Sequence, residues 1–273
     1  MNISRAVVVL ICASASLAHA DQVPLWEAGA GLSVIRLADY RGANEYRTWV
    51  LPVPYLIYRG DFLKADERRI RGQFFQSGRV EMDLSFFGAP PARNNEARQG
   101  MPDLDATLEV GPAVNVALFR SEDGMETLEL RLPVRTAIAL DLPHAKNVGW
   151  ILQPNLNLDV HDVFCRGWDF GVLGGPLYTD RSYNQYFYGV DPAFATAERP
   201  AFNPSGGYAG TQFIASLSRR YGRLWIGGFA KLDSVRGAVF ADSPLVKSQQ
   251  NFSGGFAVSW VFGQSRATVE ADR

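Results

Sequence analysis

The sequence predicts an all-β protein: a transmembrane antiparallel β-barrel of up-and-down topology with 10–12 strands. Three observations lead there. The first is the stretch METLELRLPVRTAIALD (125–141), which alternates along its whole length. Leu128, Leu130, Leu132, Val134, Ile138 and Leu140 share one face, and Thr127, Glu129, Arg131, Arg135 and Asp141 share the other. At about 3.3 Å per residue it would rise roughly 50 Å, against the about 5–6 residues of an ordinary strand. The second is that this period-two pattern recurs about ten times along the chain. The third is an export leader followed by no apolar run long enough for a spanning helix.

The leader comes first in the chain. Met1–Arg5 is a short cationic start, AVVVLICASASLA (6–18) is the apolar stretch, and AHA (18–20) places small residues before a cut after Ala20. Residues 1–20 therefore read as a cleaved signal peptide, because the apolar run falls short of the roughly 20 residues that cross a bilayer. Ile11 stands where a lipoprotein signal wants a small residue before Cys12. Beyond the leader the only cysteine is Cys165, so an exported fold stapled by internal disulfides is excluded. A formal net charge of −1 with no basic run gives no reason to invoke nucleic acid. With Gly 26, Pro 15, Tyr 10, Phe 17 and Trp 6, the composition favours strands and turns.

The strands follow in order: LWEAGAGLSVIRL (25–37), with Trp26, Ala28, Ala30, Leu32 and Val34 on one face; RTWVLPVPYLIYR (47–59), with Trp49, Leu51, Val53, Tyr55 and Ile57 together; and RVEMDLSFF (79–87), with Val80, Met82, Leu84 and Phe86 together. In the second of these, Pro52 and Pro54 must sit where missing N–H groups are tolerated. DLDATLEVGPAVNVALF (103–119) sets Leu104, Leu108, Val110, Val114, Val116 and Leu118 against Asp103, Asp105, Thr107, Glu109 and Asn115, and the turn RSEDGM (120–125) makes it a hairpin with 125–141. Then come 147–160, 165–178, 208–220, 223–235 and 251–262. DFLKADERRIRGQFF (61–75) is ambiguous and holds one or two strands more. Connections at 120–125, 142–147 and 221–222 are short, whereas 88–103, 179–207 and 236–250 are long, the two-rim pattern of an outer-membrane barrel with the long loops outside. The 179–207 stretch is too long to be featureless and should fold over or into the lumen. One barrel thus spans 21–262, followed by a tail, 263–273.

A soluble sandwich or lipocalin-like barrel would also alternate, with its apolar face inward. Between the charges of 103–119 and 125–141 lie Gly111, Ala113, Ala117, Ala137 and Ala139. A solvated face is seldom half alanine and glycine, whereas a narrow lumen must fit long charged chains beside small ones. In either register compatible with the faces, Glu109 falls opposite Arg135 or one diagonal step away. Glu109, Glu129, Arg131 and Arg135 are therefore expected to form an ionic network inside the barrel, structural in role. Trp26, Trp49, Tyr55, Tyr58, Trp150, Trp168, Trp225, Trp260 and Phe262 fit aromatic girdles at the two membrane interfaces, so outer-membrane lipid is the expected surroundings.

Enzyme chemistry finds no support. There is no G-x-S-x-G elbow, and NPSGG reads as a turn. His144 and His161 have no carboxylate or cysteine at ligand spacing, so no metal or cofactor is expected, and no histidine is placed to activate Cys165. YNQYFYGV (183–190) mixes tyrosines with amides: Tyr183, Asn184, Gln185, Tyr186 and Tyr188 form a candidate extracellular loop for recognising glycan or peptide, unless they tuck against the barrel mouth.

The chain resembles the MipA/OmpV family of Gram-negative outer-membrane proteins, named for the MltA-interacting protein. The resemblance rests on AGAGL (28–32), ADYRGANEYR (38–47) with LPVPYLIYRGDFL (51–63), LEVGPAVNV (108–116), YNQYFYGV, NPSGGYAG (203–210) and ADSPLV (241–246). It implies an outer-membrane barrel acting as a scaffold between a lytic transglycosylase, which degrades murein, and a murein synthase; it implies no catalytic residue. A small pore or a ligand-uptake or adhesion barrel is the other reading. Such barrels usually stop at a terminal aromatic. Here SWVF ends at Phe262 and GQSRATVEADR follows, so Phe262 is expected to close the last strand and the tail to hang free in the periplasm.

Overall fold

In a computed structural model the described residues are 22–59, 63–65, 70–72, 75–141, 144–163 and 167–270; the expected signal peptide and Cys165 lie outside them. The strands are β1 (Gln22–Pro24), β2 (Trp26–Ala38), β3 (Tyr46–Arg59), β4 (Leu63–Ala65), β5 (Ile70–Gly72), β6 (Phe75–Ser77), β7 (Val80–Ala89), β8 (Ala106–Arg120), β9 (Glu126–Asp141), β10 (His144–Leu152), β11 (Asn155–Val163), β12 (Trp168–Thr179), β13 (Gly207–Tyr221), β14 (Leu224–Ser234), β15 (Gln250–Gln264) and β16 (Thr268–Glu270), with one helix, α1 (Arg181–Tyr188).

The fold is an antiparallel β-barrel. Fourteen strands form one sheet in the order β5-β4-β3-β2-β15-β14-β13-β12-β10-β9-β8-β7-β6, with β11 between β9 and β12. The ends of this path, β5 and β6, are successive in the chain. β10 and β11 run in the same direction along β9 and form one long strand broken at Gln153 and Pro154. The break follows from proline chemistry, since Pro154 cannot donate to a ladder. Counting β10 with β11, and β4–β6 as the ambiguous 61–75 stretch, reconciles the sheet with the expected 10–12 strands.

The wall is apolar outside and polar inside. Leu32, Val50, Leu56, Phe213, Phe252, Phe256, Trp260 and Phe262 are among the most exposed large side chains, while Glu27, Asp83, Glu109, Asn115, Asn157, Gln212, Asp233, Asn251 and Ser259 are buried. This inverts a soluble barrel and is what a lipid-facing wall requires. In β9 the leucine face of 125–141 points out, and Glu129, Arg135, Ala137 and Ala139 point in.

The face shared by Trp49, Leu51, Val53, Tyr55 and Ile57 points inward, where Tyr55 and Ile57 are 6 % and 4 % exposed, while Val50, Pro52, Pro54 and Leu56 point outward. Both faces of this strand are apolar, so alternation alone does not choose between them. Tyr55 packs on Trp225 inside the lumen, with ring centroids 6.1 Å apart, which removes both from the expected girdle. Trp26, Trp150, Trp260 and Phe262 do lie on the outer surface. β3 pairs with β2 over nearly its whole length, and on its other side, among the described residues, it meets only β4, at Tyr58 and Arg59; on that side Pro52 and Pro54 face no described strand, the kind of position where a missing N–H is tolerated. Leu104 is not part of the wall but is buried in the loop before β8, bridged to Ala92.

The tail is not free. β15 runs on through Phe262 to Gln264, and β16 pairs with β1, joining the two ends of the described chain at the rim that carries the short turns.

Candidate functional site

Two features fill the barrel: a belt of polar side chains across the lumen and a cap over the long-loop mouth. The belt begins where sequence placed it. Glu109 stands opposite Ala137, one diagonal step from Arg135, and Arg135 Nε reaches Glu109 Oε2 at 3.0 Å. Arg135 also donates to Ser85 Oγ at 3.1 Å and to Gln153 Oε1 at 2.5 Å. Gln153 Nε2 donates to Gln212 Oε1 (2.9 Å), and Gln212 Nε2 donates to Asp233 Oδ1 (2.8 Å). Asp233 is paired with Lys231 at 3.0 Å and Arg41 at 3.2 Å. One connected chain of contacts thus crosses β8, β9, the β10–β11 break, β13 and β14. Arg135 and Lys231 both approach the ring of Phe87, at 5.8 and 5.9 Å, within cation–π range.

Glu129 and Arg131 do not join that belt. They form a separate cluster lower in the barrel, where Arg131 Nη2 lies 2.8 Å from Glu129 and 3.6 Å from Asp159. Asn157 Nδ2 donates to Asp159 at 2.5 Å. Below them Arg220 pairs with the buried Glu27. Gln153, Gln212, Lys231, Asp233 and Arg41 were not singled out from sequence. Lys231 and Asp233 share the inward parity of a strand and were readable; Arg41 reaches Asp233 from a loop and was not.

The cap is made by the loops after β2, β7, β12 and β14. α1 starts at Asp180, whose carboxylate accepts from Tyr183 N (3.0 Å) and from Trp150 N (2.9 Å), an N-cap that also ties the helix to β10. A positive φ of 136° at Gly149 opens the seat for this contact, and a Cβ there would overlap Asp180 Oδ1. Eight residues make a marginal helix in isolation, so packing holds it. Tyr188 stacks on Phe240 with centroids 3.6 Å apart and planes at 6°, and both are almost fully buried. Phe187 and Tyr188 join Tyr40, Leu104, Val148, Ile151, Leu177, Val235 and the inward Ala137 and Ala139 in one apolar core. The alanines of β9 are thus the floor on which the cap sits.

Hydrogen bonds lock the loops to one another. Tyr40 Oη donates to Leu245 O (2.7 Å), Ser243 Oγ to Tyr188 O (2.7 Å) and Tyr188 Oη to Arg41 O (2.9 Å). Arg98, 6 % exposed, donates to Phe187 O at the end of α1 (3.0 Å) and to Pro102 O (3.2 Å). Arg199 donates to Ala97 O and Gln99 O. Burial pushes the Tyr40 and Tyr188 phenols well above their ordinary value and lowers the Arg98 guanidinium.

Of the two readings of 183–188, the structure takes the tuck against the barrel mouth. Tyr183, Asn184, Gln185, Tyr186 and Tyr188 are not a loop offered to an outside ligand. Asn184 is fully buried between Thr179 Oγ1 and Ser205 O, Tyr188 is sealed against Phe240, Tyr183 packs on Phe187, and Tyr186 Oη accepts from Asp105 N. Gln185 bonds Asp191. Among the described residues no group of three or more His, Cys, Asp or Glu is placed to hold a metal. His144 is exposed at the start of β10, and His161 Nδ1 lies 2.9 Å from Asp169.

Residues 30–262 match the family described as MltA-interacting protein MipA. The chain belongs to the MipA family. The match runs from the first long strand to Phe262, so the belt and the cap both lie inside the MipA region. No curated protein shows a significant sequence match. Among solved structures, a bacterial polysaccharide outer membrane secretin aligns at 6 % identity over 87 % of this chain and 99 % of its own, TM-score 0.43. An outer membrane channel from Pseudomonas putida F1 aligns at 10 % identity over 91 % and 100 %, TM-score 0.36. The Ralstonia pickettii toluene transporter TbuX aligns at 10 % identity over 90 % and 71 %, TM-score 0.27. No residue role or ligand is carried from these to the MipA chain.

Proposed function

We propose that the protein sits in the outer membrane as a closed barrel and serves as a scaffold for murein-remodelling enzymes, without catalysis of its own. The single observation that carries this is the filled interior. A cap with its own apolar core covers one mouth, and an unbroken polar belt crosses the lumen beneath it, so the barrel has rigidity to offer and little room for flow. The apolar outer wall supports residence in lipid, and the leader at 1–20 supports export. Membership of a family described by interaction with MltA supports a periplasmic lytic transglycosylase as partner, with a murein synthase as the second enzyme held.

The test is retention on the immobilised, detergent-folded barrel. The reading expects a purified lytic transglycosylase to be held by the barrel and released by soluble competitor barrel. Elution of the enzyme at the void, with the barrel folded, would contradict it and leave pore or adhesion functions.

A further inference from the structure

The rim opposite the cap holds a polar cluster that neither the belt nor the cap uses. At the turn before β7 and on the inner wall of β7, β8 and β9, Arg79, Glu81, Asn115, Arg120 and Glu129 line a cavity of about 270 Å³. Strand register puts them on one face. Glu81 stands opposite Asn115 and Ala117 opposite Glu129, and the bulge between Ala117 and Phe119 then brings Arg120 opposite Thr127, on the same side of the sheet as Glu129.

Asn115 is 2 % exposed, lines this cavity, and its Nδ2 has no hydrogen-bond partner. A buried donor left unmade costs about 1–3 kcal/mol, so this amide is poised for an acceptor that enters the cavity. The carboxylate of Glu129 is turned to Arg131. Arg79, Glu81 and Arg120 make no ion pair among the described residues. The site therefore presents two guanidiniums, one uncommitted carboxylate and one amide NH₂ around a space close to the lower end of ligand pockets, roughly 300 Å³. A phosphate would meet two glutamates, and a neutral sugar would leave every charge unanswered.

We propose that this mouth binds a short zwitterionic peptide. Its terminal carboxylate lies between Arg79 and Arg120, its amino group on Glu81, and a peptide carbonyl accepts from Asn115 Nδ2. That the mouth opens to the periplasm rests on the membrane placement proposed above; the binding does not. Failure of the peptide to bind overturns this site alone, and failure of the enzyme pull-down overturns the scaffold alone.

The experiment is calorimetric titration of the full folded barrel in detergent with alanyl-alanine, its C-amide and its N-acetyl form. Saturable binding of the free dipeptide is expected, weakened roughly tenfold by either block, as loss of one charge-assisted bond implies. The Arg79→Gln/Arg120→Gln variant should lose the same factor for the free dipeptide and nothing further for the amide. Glu81→Gln should lose it for the free dipeptide and nothing further for the acetyl form. Heat-modifiable gel migration establishes that each variant is folded. No saturable heat with wild-type barrel, or equal affinity for the free and both blocked peptides, would overturn the proposal.

Discussion

Asp233 is where the belt meets the cap, because it answers Lys231 from its own strand and Arg41 from a loop. Asp233→Asn keeps the shape and the bond to Gln212 but leaves two cations without their counter-charge. Breaking a buried pair in this way costs about 3–5 kcal/mol, so the heat-modifiable transition of the purified barrel should fall by roughly 10 °C. An unchanged midpoint would mean the belt is not structural. The cap tyrosines give a second residue-level outcome. Tyr40 and Tyr188 titrate well above pH 10 when folded and near 10 when unfolded. The unfolded chain therefore releases those protons first, and stability is full below pH 10 and declines as pH rises above it. Alkaline absorbance titration should show Tyr40 and Tyr188 ionising only as the cap opens. The Glu109–Arg135 pairing was legible from spacing, since two inward positions on neighbouring strands admit few registers. Tyr183–Tyr188 were left between recognition loop and tuck, because burial of an amide-rich helix depends on what the other loops bring to it.

At the scale of elements, legibility tracks how different the two faces of a strand are. β9 has leucines on one side and charges on the other, and its direction follows at once. β3 is apolar on both sides, so only its neighbours decide which residues face the lumen. β10 and β11 read as a single strand because the alternation continues through Gln153 and Pro154 while the ladder does not. Strand spacing is also written in glycine. A Cβ on Gly111 would overlap the Val134 carbonyl oxygen of the neighbouring strand, whereas one on Gly88 meets nothing nearer than 3.6 Å. Gly111→Ala is expected to abolish the heat-modifiable folded band after refolding and Gly88→Ala to retain it. Equal folding of both would show that β8 and β9 do not approach as closely as described.

For the molecule as a whole, the proposed function requires an outer wall that meets lipid and an interior that stays shut. Phe256 is 59 % exposed in the middle of β15, so Phe256→Arg should destabilise the barrel by about 2–4 kcal/mol in a bilayer, read from folding titrations into vesicles. The class of fold was legible because a leader-like N-terminus, alternation and the absence of long apolar runs converge on one architecture. The cap was legible only in the length of 179–207, which had to fold over or into the lumen; its assembly was not, because it joins four loops far apart in sequence whose apolar residues carry no period. Tyr188→Ala tests what the cap does, since loss of a stacked, buried aromatic costs about 3–5 kcal/mol and should loosen the seal without touching the wall. The most direct measurement is single-channel recording in planar bilayers of the wild-type barrel beside Tyr188→Ala. A closed barrel predicts no steady current from wild type and intermittent openings from the variant. A large, stable open current from the wild-type protein would contradict it.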